Sequence, residues 1–182
     1  NYFNPLNTHQ EWNYYRPIPT QVFYFIGAQI FNYNHVLMHI LNFTFFALTV
    51  WLVYLFSQLI TKNKNQSLTA AFIYALSASH FSKLYFLSTQ EIGLAFFFMS
   101  AVFLFSKFLL TNRIKLYFYS LGLFVFSLMS KETAVILPLI LGLVFIYLKF
   151  QKRIKYKWQK IISLLIPFGV LDLIYLFFII LS

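Results

Sequence analysis

Long apolar runs alternate with short polar joints along the chain, and the runs have the length of bilayer crossings. A helix needs about 20 predominantly apolar residues to span the hydrocarbon core. Four runs meet that size: His35 to Ile60, Glu91 to Leu110, Glu132 to Leu148, and Ile161 to Leu181. Two shorter runs, Ser67 to Ser79 and Leu116 to Ser130, lie between them and by length fit either crossings or re-entrant helices. The pattern predicts an all-α polytopic transmembrane bundle over residues 35–182, preceded by a polar and aromatic tract over 1–34.

The placement of cations favours six crossings. Lys62 and Lys64, then Lys107, Arg113 and Lys115, then Lys149, Lys152, Arg153, Lys155, Lys157 and Lys160 fall after every second run. Basic residues concentrate in cytoplasmic loops, so these eleven belong on one side, with Arg16, Lys83 and Lys131 on the other. Were either short run not to cross, the next basic loop would fall outside. Residues 1–34 are then extracytoplasmic. They carry no starting Met and no basic leader region, which gives the expectation of a fragment with a membrane segment upstream.

Composition narrows the classes. Of 182 residues 60% are hydrophobic and 10% charged, where a soluble domain carries about 25% charge. A water-facing shell cannot be built from that inventory, and disorder needs the opposite balance. The net charge of +10 therefore reports topology rather than nucleic-acid binding, and with no cysteine neither disulfides nor thiolate metal sites arise.

The outer face gathers the more varied chemistry. Its first tract offers Glu11, Tyr15 and Arg16, with Pro17 and Pro19 predicting extended or turn backbone there, and Gln21 to Phe31 predicts a helix lying in the interface. The second tract, His80 to Glu91, supplies His80, Lys83, Tyr85, Gln90 and Glu91; the third is the turn Ser130-Lys131-Glu132-Thr133. Singly these are ordinary interfacial charges. Together they suit an anionic, membrane-borne substrate, since Arg presents a planar fork and Lys a mobile point charge to phosphate oxygens. Within the spans, His39 and Asn42 lie three apart near the outer interface and serve either a headgroup or helix–helix hydrogen bonding. His35 and His39 have the spacing of two metal ligands but no third nearby. Asp172, just after Pro167 and Gly169, is a carboxylate deep in a span, fit for a relay or for a bundle-facing hydrogen bond.

Several segments, in order, resemble the GT-C glycosyltransferases, especially the protein O-mannosyltransferases and the transmembrane TPR-containing O-mannosyltransferases, with the lipid A aminoarabinose transferases more distant. Tyr14-Tyr15-Arg16-Pro17-Ile18 is similar to the Y-R-P-L motif, and Phe31-Asn32-Tyr33-Asn34 followed by His39-x-x-Asn42 is similar to F-G-x-N-P and H-x-x-N-x-x-x-H. Glu91-Ile92-Gly93-Leu94 resembles R-x-[DE]-L-L, and Ser130-Lys131-Glu132-Thr133-Ala134 with Pro138 resembles S-K-E-x-A-x-x-x-P. Phe46 stands in place of the second His, His35 in place of the Pro, and Thr89 in place of the Arg.

The resemblance implies a sugar transferred from a polyprenyl-phosphate donor to a protein, lipid or glycan hydroxyl on the extracytoplasmic face, here of a bacterial inner membrane. It assigns Arg16, Lys83 and Lys131 to the donor phosphate, with Tyr15, His39, Asn42, Glu91 and Glu132 in support. It places the catalytic acidic residue in a first outer loop upstream of Y-R-P, outside this chain, which would leave the fragment inactive alone. Members with and without a divalent metal exist, and no cofactor is evident in the sequence. The other readings are a carrier or flippase for an anionic lipid-linked glycan, and a non-catalytic membrane scaffold of the same fold.

Overall fold

The computed structural model describes residues 16–85, 87 and 89–181, and among them every regular element is helical. Four segments are long and apolar enough to cross a membrane: His35–Thr61, Gln90–Thr111, Glu132–Phe150 and Gln159–Ile179. The chain is an all-α integral membrane protein.

A π-helical turn, Ile18–Val22, leads into α1, Phe23–Gln29. Here the expected extended backbone gives way to helix. Pro17 takes α-helical angles (φ −67°, ψ −29°), and Pro19 is buried in the same first turn. Prolines are tolerated there because the first N–H groups of a helix have no intrahelical acceptor to lose. Arg16 stays just outside the helix, its carbonyl accepting from the Thr20 N–H at 3.3 Å. The helix expected from Gln21 thus begins earlier, at Ile18.

Next come α2 (His35–Thr61) and α3 (Lys64–Ala75), joined by Lys62 and Asn63. Asn34 starts α2 by accepting hydrogen bonds from the Val36 and Leu37 N–H groups, and Asn63 does the same for α3 toward Asn65 and Gln66. Such caps satisfy donors that the helix leaves open. Lys62 turns the chain with a left-handed φ of 58°, and Asn112 does so at the next hairpin with 57°. The short α4 (Ser79–Tyr85) precedes the hairpin of α5 (Thr89–Thr111) and α6 (Ile114–Leu128). A 3-10 turn, Glu132–Ile136, then feeds α7 (Leu137–Phe150), and α8 (Gln159–Leu181) closes the bundle. At 1.5 Å per residue the 12-residue α3 is roughly 18 Å long and the 15-residue α6 roughly 22 Å, both shorter than the bilayer core.

The core lies among α5, α6, α7 and α8. Phe105, Phe124, Phe145 and Phe168 are wholly buried there with Leu137, Leu141 and Leu148. Small residues let α5 and α6 approach closely, as membrane helices do for want of a hydrophobic drive between them. Ala101 is fully buried, and the Ser120 hydroxyl donates to its carbonyl at 2.8 Å. The Tyr117 hydroxyl bridges α6 to α8 through the Leu164 carbonyl at 2.9 Å.

Long-range bonds define two ends. Arg153 donates to the Leu59 and Ile60 carbonyls, both at 2.8 Å, and Tyr156 donates to the Asn112 side chain. The α7–α8 loop therefore meets the two hairpin turns at one end. The opposite end collects the approach to α1, the start of α5 and the α6–α7 turn.

Candidate functional site

Two ion pairs build the site at that opposite end. Glu132 sits in the first turn of its 3-10 segment and Glu91 in the first turn of α5, where exposed N–H groups favour negative charge. The Glu132 carboxylate receives the Arg16 guanidinium in fork-to-fork fashion, Nε to Oε2 at 2.9 Å and Nη2 to Oε1 at 2.7 Å. Arg16 Nη1 also donates to Gln90 Oε1 at 2.5 Å. One step along the chain from Glu132, Lys131 Nζ donates to Glu91 Oε1 at 2.6 Å.

The approach to α1 is held against this cluster by backbone too. The Ile18 N–H donates to the Met129 carbonyl at 3.4 Å, and Ser130 is fully buried beneath the turn. Lys131 extends (φ −163°, ψ 142°), which aims successive side chains apart: Lys131 toward α5, Glu132 toward Arg16. The four charged side chains are between 16% and 32% exposed, so these pairs are partly desolvated and stronger than surface pairs, while still reachable.

Lys83 of α4 makes no hydrogen bond or ion pair with a described residue, yet its charge is felt by both Glu91 and His80. Burial first, and the Lys83 ammonium second, hold the His80 imidazole below its ordinary 6.5. That ring rests on Tyr74 at 4.4 Å and Phe46 at 5.2 Å between centroids. Aromatic packing of α4 onto α2 and α3 thus positions Lys83.

The sequence-predicted residues divide. Arg16, Lys131, Glu91 and Glu132 come together, with Lys83 as a charged neighbour. His39 is exposed and Asn42 is buried at 2%, so the pair does not present one shared surface. Asn42 Nδ2 finds no partner among the described residues. Tyr15 and Glu11 lie outside the described residues, as does the side chain of Thr89. Among the described residues no three His, Asp or Glu side chains converge.

Two participants escaped the choice of site residues. Gln90 was visible beside Glu91 but carried no charge to single it out. Tyr175 of α8 lies within electrostatic reach of Glu132 and Arg16, three residues beyond Asp172 and hence on the same helix face. The Asp172–Tyr175 spacing was the available signal. Asp172 itself is buried, and its Oδ1 has no partner among the described residues.

A family model described as dolichyl-phosphate-mannose-protein mannosyltransferase matches residues 16–176, nearly the whole bundle and its ion-paired end. The chain belongs to this mannosyltransferase family. It is accordingly a membrane glycosyltransferase-type protein, as the order of its motifs implied. Comparisons with curated proteins and with solved structures return no match. The matched range takes in Arg16, Gln90, Glu91, Lys131, Glu132 and Tyr175, the residues gathered at the ion-paired end.

Proposed function

We propose that this mannosyltransferase-family chain takes a sugar from a polyprenyl-phosphate donor and passes it to an acceptor hydroxyl on the extracytoplasmic face. The observation that carries this reading is the convergence of Arg16 and Lys131, each aligned by its own carboxylate, at the rim of long apolar helices. The lipid tail lies along those helices and its phosphate meets the cationic cluster, with Lys83 as the mobile third cation. In the transfer the acceptor oxygen bonds to the anomeric carbon and gives up its proton to solvent water, the bond from that carbon to the phosphate oxygen breaks, and the electron pair leaves on the phosphate. Fixed cations stabilise that charge as it develops. Glu91 and Glu132 serve as positioning residues, each bound to the cation that it orients.

A carrier for a lipid-linked glycan would need a polar route between the two ends. The buried hydroxyls of Thr49, Ser106 and Ser120 are instead spent on the carbonyls of Phe45, Val102 and Ala101. That favours transfer over transport.

The decisive experiment measures sugar transfer from a polyprenyl-phosphate donor by the intact protein in membranes. Arg16→Ala should abolish transfer and Lys131→Ala should reduce it by roughly 100-fold, the scale of losing one preorganised donor to a developing anion. Membrane insertion should remain normal. Unchanged transfer in Arg16→Ala would remove this cluster from the reaction.

A further inference from the structure

The end of the bundle away from Arg16 is cationic without relief. Eleven Lys and Arg residues lie in its loops and flanks. Among the described residues no carboxylate joins them: Glu91 and Glu132 are in the opposite ion pairs, and Asp172 lies 13 residues along α8 from Gln159, roughly 20 Å away.

Two of these cations are spent on shape. Lys149 donates to the Tyr156 carbonyl, and Arg153 clamps the carbonyls at the end of α2. The α7–α8 loop is thereby folded around an open cleft of about 450 Å³ lined by Lys155, Tyr156, Lys157, Gln159, Lys160 and Ser163. The three lysines are exposed, and none of their side chains bonds to a described residue. Three like charges around one cleft repel one another unless an anion sits among them.

The depth of the cleft is fixed by aromatic neighbours. Trp158 is half exposed and packs edge-on against Phe150 at 5.8 Å and Phe145 at 6.3 Å. Tryptophan with flanking aromatics marks the headgroup level of a bilayer. On either side of Ser163 along α8, Ile162 and Ile166 are 65% and 57% exposed, an apolar surface leading from the cleft into the hydrocarbon.

We propose that this cleft binds the phosphate headgroup of an anionic phospholipid, with Lys155, Lys157 and Lys160 around the phosphate and the acyl chains lying along α8. The site is separate from the donor cluster and faces the other leaflet. Its occupant would supply the counter-charge that the protein lacks there.

The test titrates the detergent-solubilised intact protein with phosphatidylglycerol, phosphatidylcholine and inorganic phosphate, and counts retained molecules by native mass spectrometry. Phosphatidylglycerol should be retained in preference to phosphatidylcholine. The triple variant Lys155→Gln, Lys157→Gln, Lys160→Gln should weaken its retention by roughly a hundredfold, as expected for three juxtamembrane lysines. The triple Lys→Arg variant should keep it, and so should Arg16→Ala, which separates this site from the donor cluster whether or not that cluster proves catalytic.

Equal retention of the two lipids would overturn the proposal. So would an equal loss in Lys62→Gln, Lys64→Gln, which would show a diffuse field rather than a cleft. Displacement of the lipid by equimolar inorganic phosphate would reassign the cleft to a free anion.

Discussion

At the residue scale, the site depends on which carboxylate each cation holds. Arg16 and Glu132 interlock through two parallel bonds, a geometry that a lysine cannot copy. Exchanging the charges, Arg16→Glu with Glu132→Arg, should therefore restore most of the thermal stability lost in either single variant while leaving transfer abolished; melting in detergent and a transfer assay read the two effects separately. For Lys131 and Glu91, a double-mutant cycle with Lys131→Met and Glu91→Gln should return a coupling of about 1 kcal/mol, typical of a partly screened pair. Coupling near zero would mean the pair is only adjacent, not bound.

His80 supplies a pH signature at the same scale. Its imidazole titrates lower in the folded protein than in the unfolded chain, because burial and Lys83 both disfavour the charged form. The neutral ring's contribution is complete above its ordinary 6.5 and fades as pH falls through the lowered folded value. Melting temperature should thus decline as pH falls from 6.5 toward that lowered value, and His80→Phe, which keeps the stack on Tyr74 and Phe46, should flatten the decline. An identical decline in that variant would place the acid sensitivity elsewhere.

At the element scale, hairpin tips and small-residue contacts govern assembly. Asn63→Ala removes the cap of α3 and should cost about 1 kcal/mol. Ser120→Leu forces three carbons in place of one oxygen against Ala101 where α5 and α6 touch, and should cost roughly 1–3 kcal/mol by overpacking; both are measured by thermal or denaturant unfolding in micelles. The four long spans were legible from apolar run length alone, and the Asn caps lie where the runs break. Less legible was the helical turn at Pro17. A proline argues against helix interiors and in favour of helix starts, and only the tertiary hold of Glu132 and Met129 on this segment decides which applies. In the same way, charge sorting brought Arg16, Lys131, Glu91 and Glu132 to one end, whereas their pairing across 116 and 40 positions depends on packing that local sequence does not encode. His39 and Asn42 diverge because burial on α2 follows contact with α3 and α5 rather than the spacing of polar residues.

At the scale of the whole molecule, bonding geometry and charge placement agree on which loops share an end. The chain contains no cysteine, so each introduced one is a unique reporter. Lys62→Cys, Arg113→Cys and Lys157→Cys should all react with a membrane-impermeant maleimide from the same side, and Thr133→Cys from the other, if α3 with α4 and also α6 return the chain across the membrane. Labelling of Arg113→Cys and Thr133→Cys from one side would show that α6 does not cross. The interlock of Arg16 with Glu132 also sets a timetable. Its two halves are separated by 116 residues, which a ribosome adding about 5–20 residues per second takes roughly 6 to 23 s to produce. For that interval the segment carrying Arg16 waits without its carboxylate, so a nascent chain stalled before Glu132 should leave residues 16–29 open to protease and a chain stalled well past α7 should protect them. The ion-paired end of the molecule is in this sense a late event of synthesis, fixed by the last spans rather than the first.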